Sequence, residues 1–148
     1  MKKIQPALFD KLTLRHHGYK KSAWREWILR DIECLLNDAS RSAQLQLKQH
    51  SFCMSSVLNY GLPSLSKRIP INTDPMILAR HIQNIIATFE PRLEPESIRV
   101  VPILDTDQAH VLAILFDIFG VCLFSGEPET VNLRIALDYS CGAVKVLE

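Results

Sequence analysis

The stretch TDPMILARHIQNIIATFEPRLEPESIRVVPIL, Thr73 to Leu104, contains a change of period, and that change decides the fold. Up to Phe89 the apolar residues recur at helical spacing, with Leu78, Ile82, Ile85, Ile86 and Phe89 on one stripe and His81 beside it. Asp74 is a natural N-cap. Pro75 suits the first helical position, where a missing N–H costs nothing. Pro91 disfavours helical backbone in the residue before it, so the helix ends by Phe89 or Glu90. Beyond it, SIRVVPIL (Ser97–Leu104) alternates as a strand. Pro102 confines that strand to a sheet edge or a strand end, because proline cannot donate to a ladder.

Downstream the alternating pattern continues. HVLAILFDIFGVCLF (His110–Phe124) reads as a long, mostly buried strand with a kink at Gly120. In ETVNLRIALD (Glu129–Asp138), Val131, Leu133, Ile135 and Leu137 share one face, and Asn132, Arg134 and Asp138 the other. YSCG is a tight turn into the last strand, AVKVLE. Upstream the pattern is helical again. In SAWREWILRDIECLLNDAS (Ser22–Ser40), Trp24, Trp27, Ile28, Ile32, Leu35 and Leu36 make an apolar stripe that Asn37–Asp38 stops. Between the helices, SSVLNYGLPSL (Ser55–Leu65) reads as a short helix capped by Ser55 or Ser56 and ended by a left-handed Gly61. Leu62 is expected to fold back on Val57, and Pro63 to prevent continuation. The corner formed by Gly61 and Pro63 would hold Asn59 and Tyr60 in a defined place. Helices followed by a strand meander predict an α+β fold: two main helices and a short helix on one face of a three- to four-stranded antiparallel sheet.

A chain of 148 residues, 47% apolar and 22% charged, is one domain with an ordinary soluble composition. No apolar run behind Lys2 and Lys3 makes a signal peptide, and the longest apolar run is too short for a bilayer, so a cytosolic protein is expected. Residues 1–89 hold 13 Lys/Arg against 6 Asp/Glu, a balance of +7, and residues 90–148 hold 4 against 10, a balance of −6. The cations are scattered, without an aromatic platform or a glycine-rich loop, which argues against nucleic acid and for ordered packing against protein neighbours. Cys34, Cys53, Cys122 and Cys141 form no CxxC pair, and His16–His17 are adjacent, so no metal or cofactor is expected. Cys34 and Cys122 read as small buried hydrophobes.

No nucleophile elbow, phosphate loop or HExxH is present. Paired carboxylates remain, because glycoside hydrolysis needs only two. Glu90, Glu94 and Glu96 lie in polar surroundings, however, and Asp117 is explained by a pair with Arg134. Glu90 and Arg92, two residues apart in extended chain, project to the same side. That places an acceptor fork beside a planar donor fork, made rigid by Pro91. The pair is either a helix stop with a local ion pair or a two-pronged contact for another protein.

PALFDKL (Pro6–Leu12), LRDIECLLN (Leu29–Asn37), SVLNYGLPSLS (Ser56–Ser66), FEPRL (Phe89–Leu93) and the closing LDYSCGAVKV occur in the order found in one family. The chain resembles the TssE family of type VI secretion baseplates and, more widely, the wedge proteins of contractile phage tails. It departs from that family at Asp38 and Ala39, where threonine and arginine are usual, and at Ser64, where aspartate is common. The resemblance implies a single baseplate wedge domain over residues 1–148, with residues 1–20 as an N-terminal arm. It implies a non-enzymatic structural role in a cytoplasmic baseplate at the inner membrane. The expected partners are the TssF and TssG wedge subunits, the TssB–TssC sheath and, indirectly, TssK. Docking on the core helical bundle falls to Glu90, Pro91 and Arg92, with Asn59 and Tyr60 beside them. Arg92→Ala would then abolish wedge assembly and leave the fold intact. The alternatives are a subunit of a phage-tail-like particle and, from a different class, a peptidoglycan hydrolase of lysozyme type.

Overall fold

The structure, a computed structural model, describes residue 12 and residues 23–40, 45, 47–63, 74–103, 113–124, 127–138 and 140–147. The proposed N-terminal arm, PALFDK, His16–His17, Ser64 and Tyr139 lie outside the described residues.

Two fifteen-residue helices, α1 (Ala23–Asn37) and α3 (Pro75–Phe89), stand either side of a single-turn helix, α2 (Ser51–Met54). A two-residue parallel ladder joins β1 (Ala39–Ser40) to β2 (Leu62–Pro63). The main sheet is an antiparallel meander of β3 (Arg99–Ile103), β4 (Ala113–Phe124), β5 (Glu127–Asp138) and β6 (Val144–Leu147), in that spatial order. Pro102 therefore stands on an edge strand, as a residue without an N–H must.

The α+β arrangement follows from two periods meeting. Alternation places Val100, Phe116, Ile118, Val131, Leu133, Ile135 and Leu137 on one buried sheet face. Register brings them into rows, Val100 beside Ile118 beside Leu133, and Pro102 beside Phe116 beside Ile135. Against that face pack the α1 stripe (Trp24, Ile28, Ile32, Leu36) and the α3 stripe (Leu78, Ile82, Ile86). Trp27 and Ile85 pack on the cluster from its rim, partly buried. α3 begins as expected, with Asp74 Oδ1 accepting from the Met76 N–H at 2.9 Å, and it ends at Phe89.

Two local expectations need correction. Cys34 is exposed, because it lies two residues from both Ile32 and Leu36 and so faces away from their stripe. Cys122 is fully buried, and burial pushes its thiol up to about 11. The second correction concerns Leu62, which does not fold back on Val57. Val57 is 83% exposed, whereas Leu62 is buried beside β1. The segment before it is one 3₁₀ turn, Val57–Asn59, whose N-cap Ser56 accepts from the Leu58 N–H. Tyr60 is already extended, so no helical turn remains for Leu62 to close over.

Candidate functional site

The residues after α3 make the most heavily paired polar cluster of the described chain. Glu90 is 4% exposed, the one charged side chain in the core. It survives burial because its neighbour two residues on satisfies it. Arg92 donates from Nε to Glu90 Oε1 at 2.7 Å and from Nη2 to Oε2 at 2.5 Å, and the Arg92 backbone N–H adds a bond of 3.1 Å to Oε1. This is the same-side projection that extended backbone on either side of a proline provides. The fork is closed on itself. The helix-stop reading of FEPRL is therefore correct as far as the ion pair goes, and the turn also contains a contact absent from that reading.

That contact is Asp31, on α1. Arg92 Nη2 reaches Asp31 Oδ2 at 2.8 Å, 61 residues away in sequence, and Arg30 holds the other Asp31 oxygen with two bonds of 2.7 and 3.0 Å. A chain of alternating charge, Arg30–Asp31–Arg92–Glu90, so ties α1 to the end of α3. Burial of the Arg92 guanidinium favours its neutral form, but the hydrogen bonds and charges of Glu90 and then Asp31 outweigh that, and the net shift is upward. Arg92 is a permanent cation held between two carboxylates.

Around this turn lies an open groove of about 440 Å³ lined by Asp31, Leu35, Tyr60, Phe89, Glu90, Pro91 and Arg92. Pro91 is exposed on its rim. The Tyr60 and Phe89 rings meet edge to face, with centroids 5.5 Å apart and planes at 71°. Four of the five residues expected to contact a partner (Tyr60, Glu90, Pro91 and Arg92) thus meet in one groove. Asn59 does not line it. Its amide donates to the Met54 carbonyl at 2.7 Å and accepts from the Ser40 hydroxyl at 2.8 Å, so both ends are used inside the chain. Asn59 braces the corner that presents Tyr60.

Gly61 completes the corner. Its φ is +100°, and a Cβ there would stand 2.4 Å from the carbonyl oxygen of Asp38. The same carbonyl accepts from the Leu62 N–H at 3.0 Å. The corner is thereby pinned to the end of α1, with Pro63 exposed in the two-residue ladder. Sequence reasoning placed Gly61 and missed Asp31. An acidic residue beside the buried Ile32, within LRDIECLLN, was the only available signal.

The carboxylate best placed to suggest chemistry is not arranged for it. Asp117 accepts from Arg134 Nε and Nη2 at 2.7 and 3.0 Å, and those hydrogen bonds hold its carboxyl below the usual range. A group so held cannot keep the proton that a general acid must deliver. Among the described residues no cluster of three or more His, Cys, Asp or Glu could hold a metal ion, and no helix is long and apolar enough to cross a membrane.

Comparison with known proteins gives one match. The family described as baseplate wedge protein gp25 covers residues 22–124, a span that contains α1, the corner, α3, the Glu90–Arg92 turn, β3 and β4. No curated protein and no solved structure matches significantly.

Proposed function

We infer the function from one premise: this chain belongs to the baseplate wedge protein gp25 family. A baseplate structural role follows from membership, and with it assembly beside other baseplate subunits. On that footing the chain is a wedge subunit of a type VI secretion baseplate. It docks on the core helical bundle of TssF and TssG through the groove around Glu90, Pro91 and Arg92, and it nucleates the TssB–TssC sheath through its sheet. A phage-tail-like contractile particle would use the same two surfaces.

The observation that carries the docking reading is the buried Arg30–Asp31–Arg92–Glu90 chain beneath an exposed Pro91. Ordering a turn this strongly before binding removes much of the entropy that docking would otherwise cost. For the sheath, the support is a difference in strand length. β5 runs from Glu127 to Asp138, whereas β6 pairs only with Arg134–Leu137, so the first half of β5 extends past its neighbour. Extended edges are where strands from other chains add.

Arg92→Ala is a poor probe of docking, because it strands Glu90 in the core, at a cost of about 3 kcal/mol. Pro91→Trp instead adds bulk at an exposed position. The test is co-purification of TssF–TssG with wild type and with a Pro91→Trp chain whose circular dichroism and urea midpoint match wild type. Wild type is expected to retain the pair and Pro91→Trp to lose it. Equal retention would move the docking surface elsewhere.

A further inference from the structure

The groove has a chemical preference that goes beyond its position. Its walls are two aromatic rings, Tyr60 and Phe89, and its floor includes the buried Leu35. Of the three charged residues lining it, two are carboxylates, Asp31 and Glu90, and the single cation, Arg92, is already bound between them. Arg30, which also binds Asp31, lines a separate groove on the far side of α1 with Glu26, Leu29, Glu33, Cys34 and Val146. The Tyr60 hydroxyl makes no hydrogen bond to any described residue. Burial raises its pKa, and the groups acting on it electrostatically, Cys34, Asp31, Asp38 and Glu90, all push the same way.

We propose that this groove receives a lysine or arginine side chain from the wedge partner, seated between the Tyr60 and Phe89 rings with its charge toward Asp31. This rests on the docking reading above and specifies the partner's side of the contact. An aliphatic stem fits the apolar floor, and the cation is attracted by ring faces and by the surplus carboxylate. The unpaired phenol oxygen supplies an acceptor. An acidic or purely apolar anchor satisfies neither the charge nor the hydroxyl, and an acidic one would meet two carboxylates at close range. Arg92 in this arrangement is a positioning residue. It fixes both carboxylates and does not itself reach the partner.

The test is the affinity of purified TssF–TssG for wild type, Pro91→Trp and Tyr60→Lys, each at low and moderate salt. Tyr60→Lys fills the groove with the chain's own cation. It is expected to weaken binding about tenfold and to flatten the salt dependence that wild type shows. If Tyr60→Lys binds as wild type while Pro91→Trp does not, the cation assignment is wrong and docking stands. If both bind as wild type, or if wild type itself does not bind, the docking reading falls and this inference with it. A second measurement is independent of any variant's folding. N-acetylarginine amide, titrated into the wild-type chain, should move the ring NMR signals of Tyr60 and Phe89, whereas N-acetylnorleucine amide should not. Equal shifts with the two probes, or none with either, overturn the proposal.

Discussion

Gly61 meets two separate constraints. Its φ of +100° excludes side chains on conformational grounds, and the Asp38 carbonyl 2.4 Å from where a Cβ would stand excludes them on space. The obstructing atom is backbone, which cannot rotate aside. Gly61→Ala should therefore cost about 3 kcal/mol, read as a lowered urea midpoint. Gly120→Ala is the control. A Cβ there meets nothing nearer than a Leu93 methyl at 3.5 Å, an ordinary contact, so its midpoint should stay within about 1 kcal/mol of wild type or rise. Similar losses in the two variants would contradict the role assigned to the corner. The run NYGLP announces the positive φ. It does not announce why the backbone must pass so close to α1, because the obstructing carbonyl lies 23 residues earlier. Cys34 illustrates a different limit: it sits among the letters of an apolar stripe and faces away from it, an error of angle that composition alone cannot correct.

α1 has two tasks, and only one is visible in its periodicity. Its apolar stripe packs on the sheet, as the i, i+3, i+4 spacing of Trp24, Trp27, Ile28 and Ile32 requires. Its polar side chains also cover backbone groups of β5 and β6. Asn37 accepts from the Val144 N–H at 2.9 Å and donates to the Val144 carbonyl at 2.6 Å. Glu33 Oε2 accepts from the Val146 N–H at 3.1 Å, and Arg25 donates to the Asn132 carbonyl at 3.1 Å. Asn37 pairs with β6 as a neighbouring strand would, which shields an edge otherwise open to stray pairing. Asn37→Ala leaves one donor and one acceptor of Val144 unpaired. It should lower stability by about 1–2 kcal/mol and speed hydrogen exchange at Val144 and Val146 relative to β4. Unchanged exchange there would mean that α1 does not protect this edge. The start and stop of α3 were legible from Asp74, Pro75 and Pro91 because those signals are local. The covering of β6 was not, since Asn37 and Val144 are 107 residues apart and nothing in either neighbourhood refers to the other.

The whole molecule separates two kinds of surface. On the helical side, the ends of α1 and α3 converge on a rigid turn whose charges are almost wholly used within the chain. On the sheet, β6 is sheltered by α1, and β5 runs on beyond it. This division suits a subunit that must be held by one neighbour and extended by another, and it agrees with a chain whose two halves carry opposite net charge, +7 and −6. Four of the five partner-contact residues expected from sequence meet in one groove, because FEPRL and LNYGLP are both local signals of ordered turns. Asp31 escaped, because its part depends on how α1 lies across a turn formed much later in the chain. The most direct measurement is site-specific photo-crosslinking in cells that assemble the baseplate, with a benzoylphenylalanine placed at position 91 and, as a control, at the exposed sheet position 101. Position 91 should crosslink to the helical core subunits TssF or TssG, and position 101 should not. Crosslinks from position 101 to those subunits, with none from position 91, would place the wedge contact on the sheet and contradict the docking role of the Glu90–Arg92 turn.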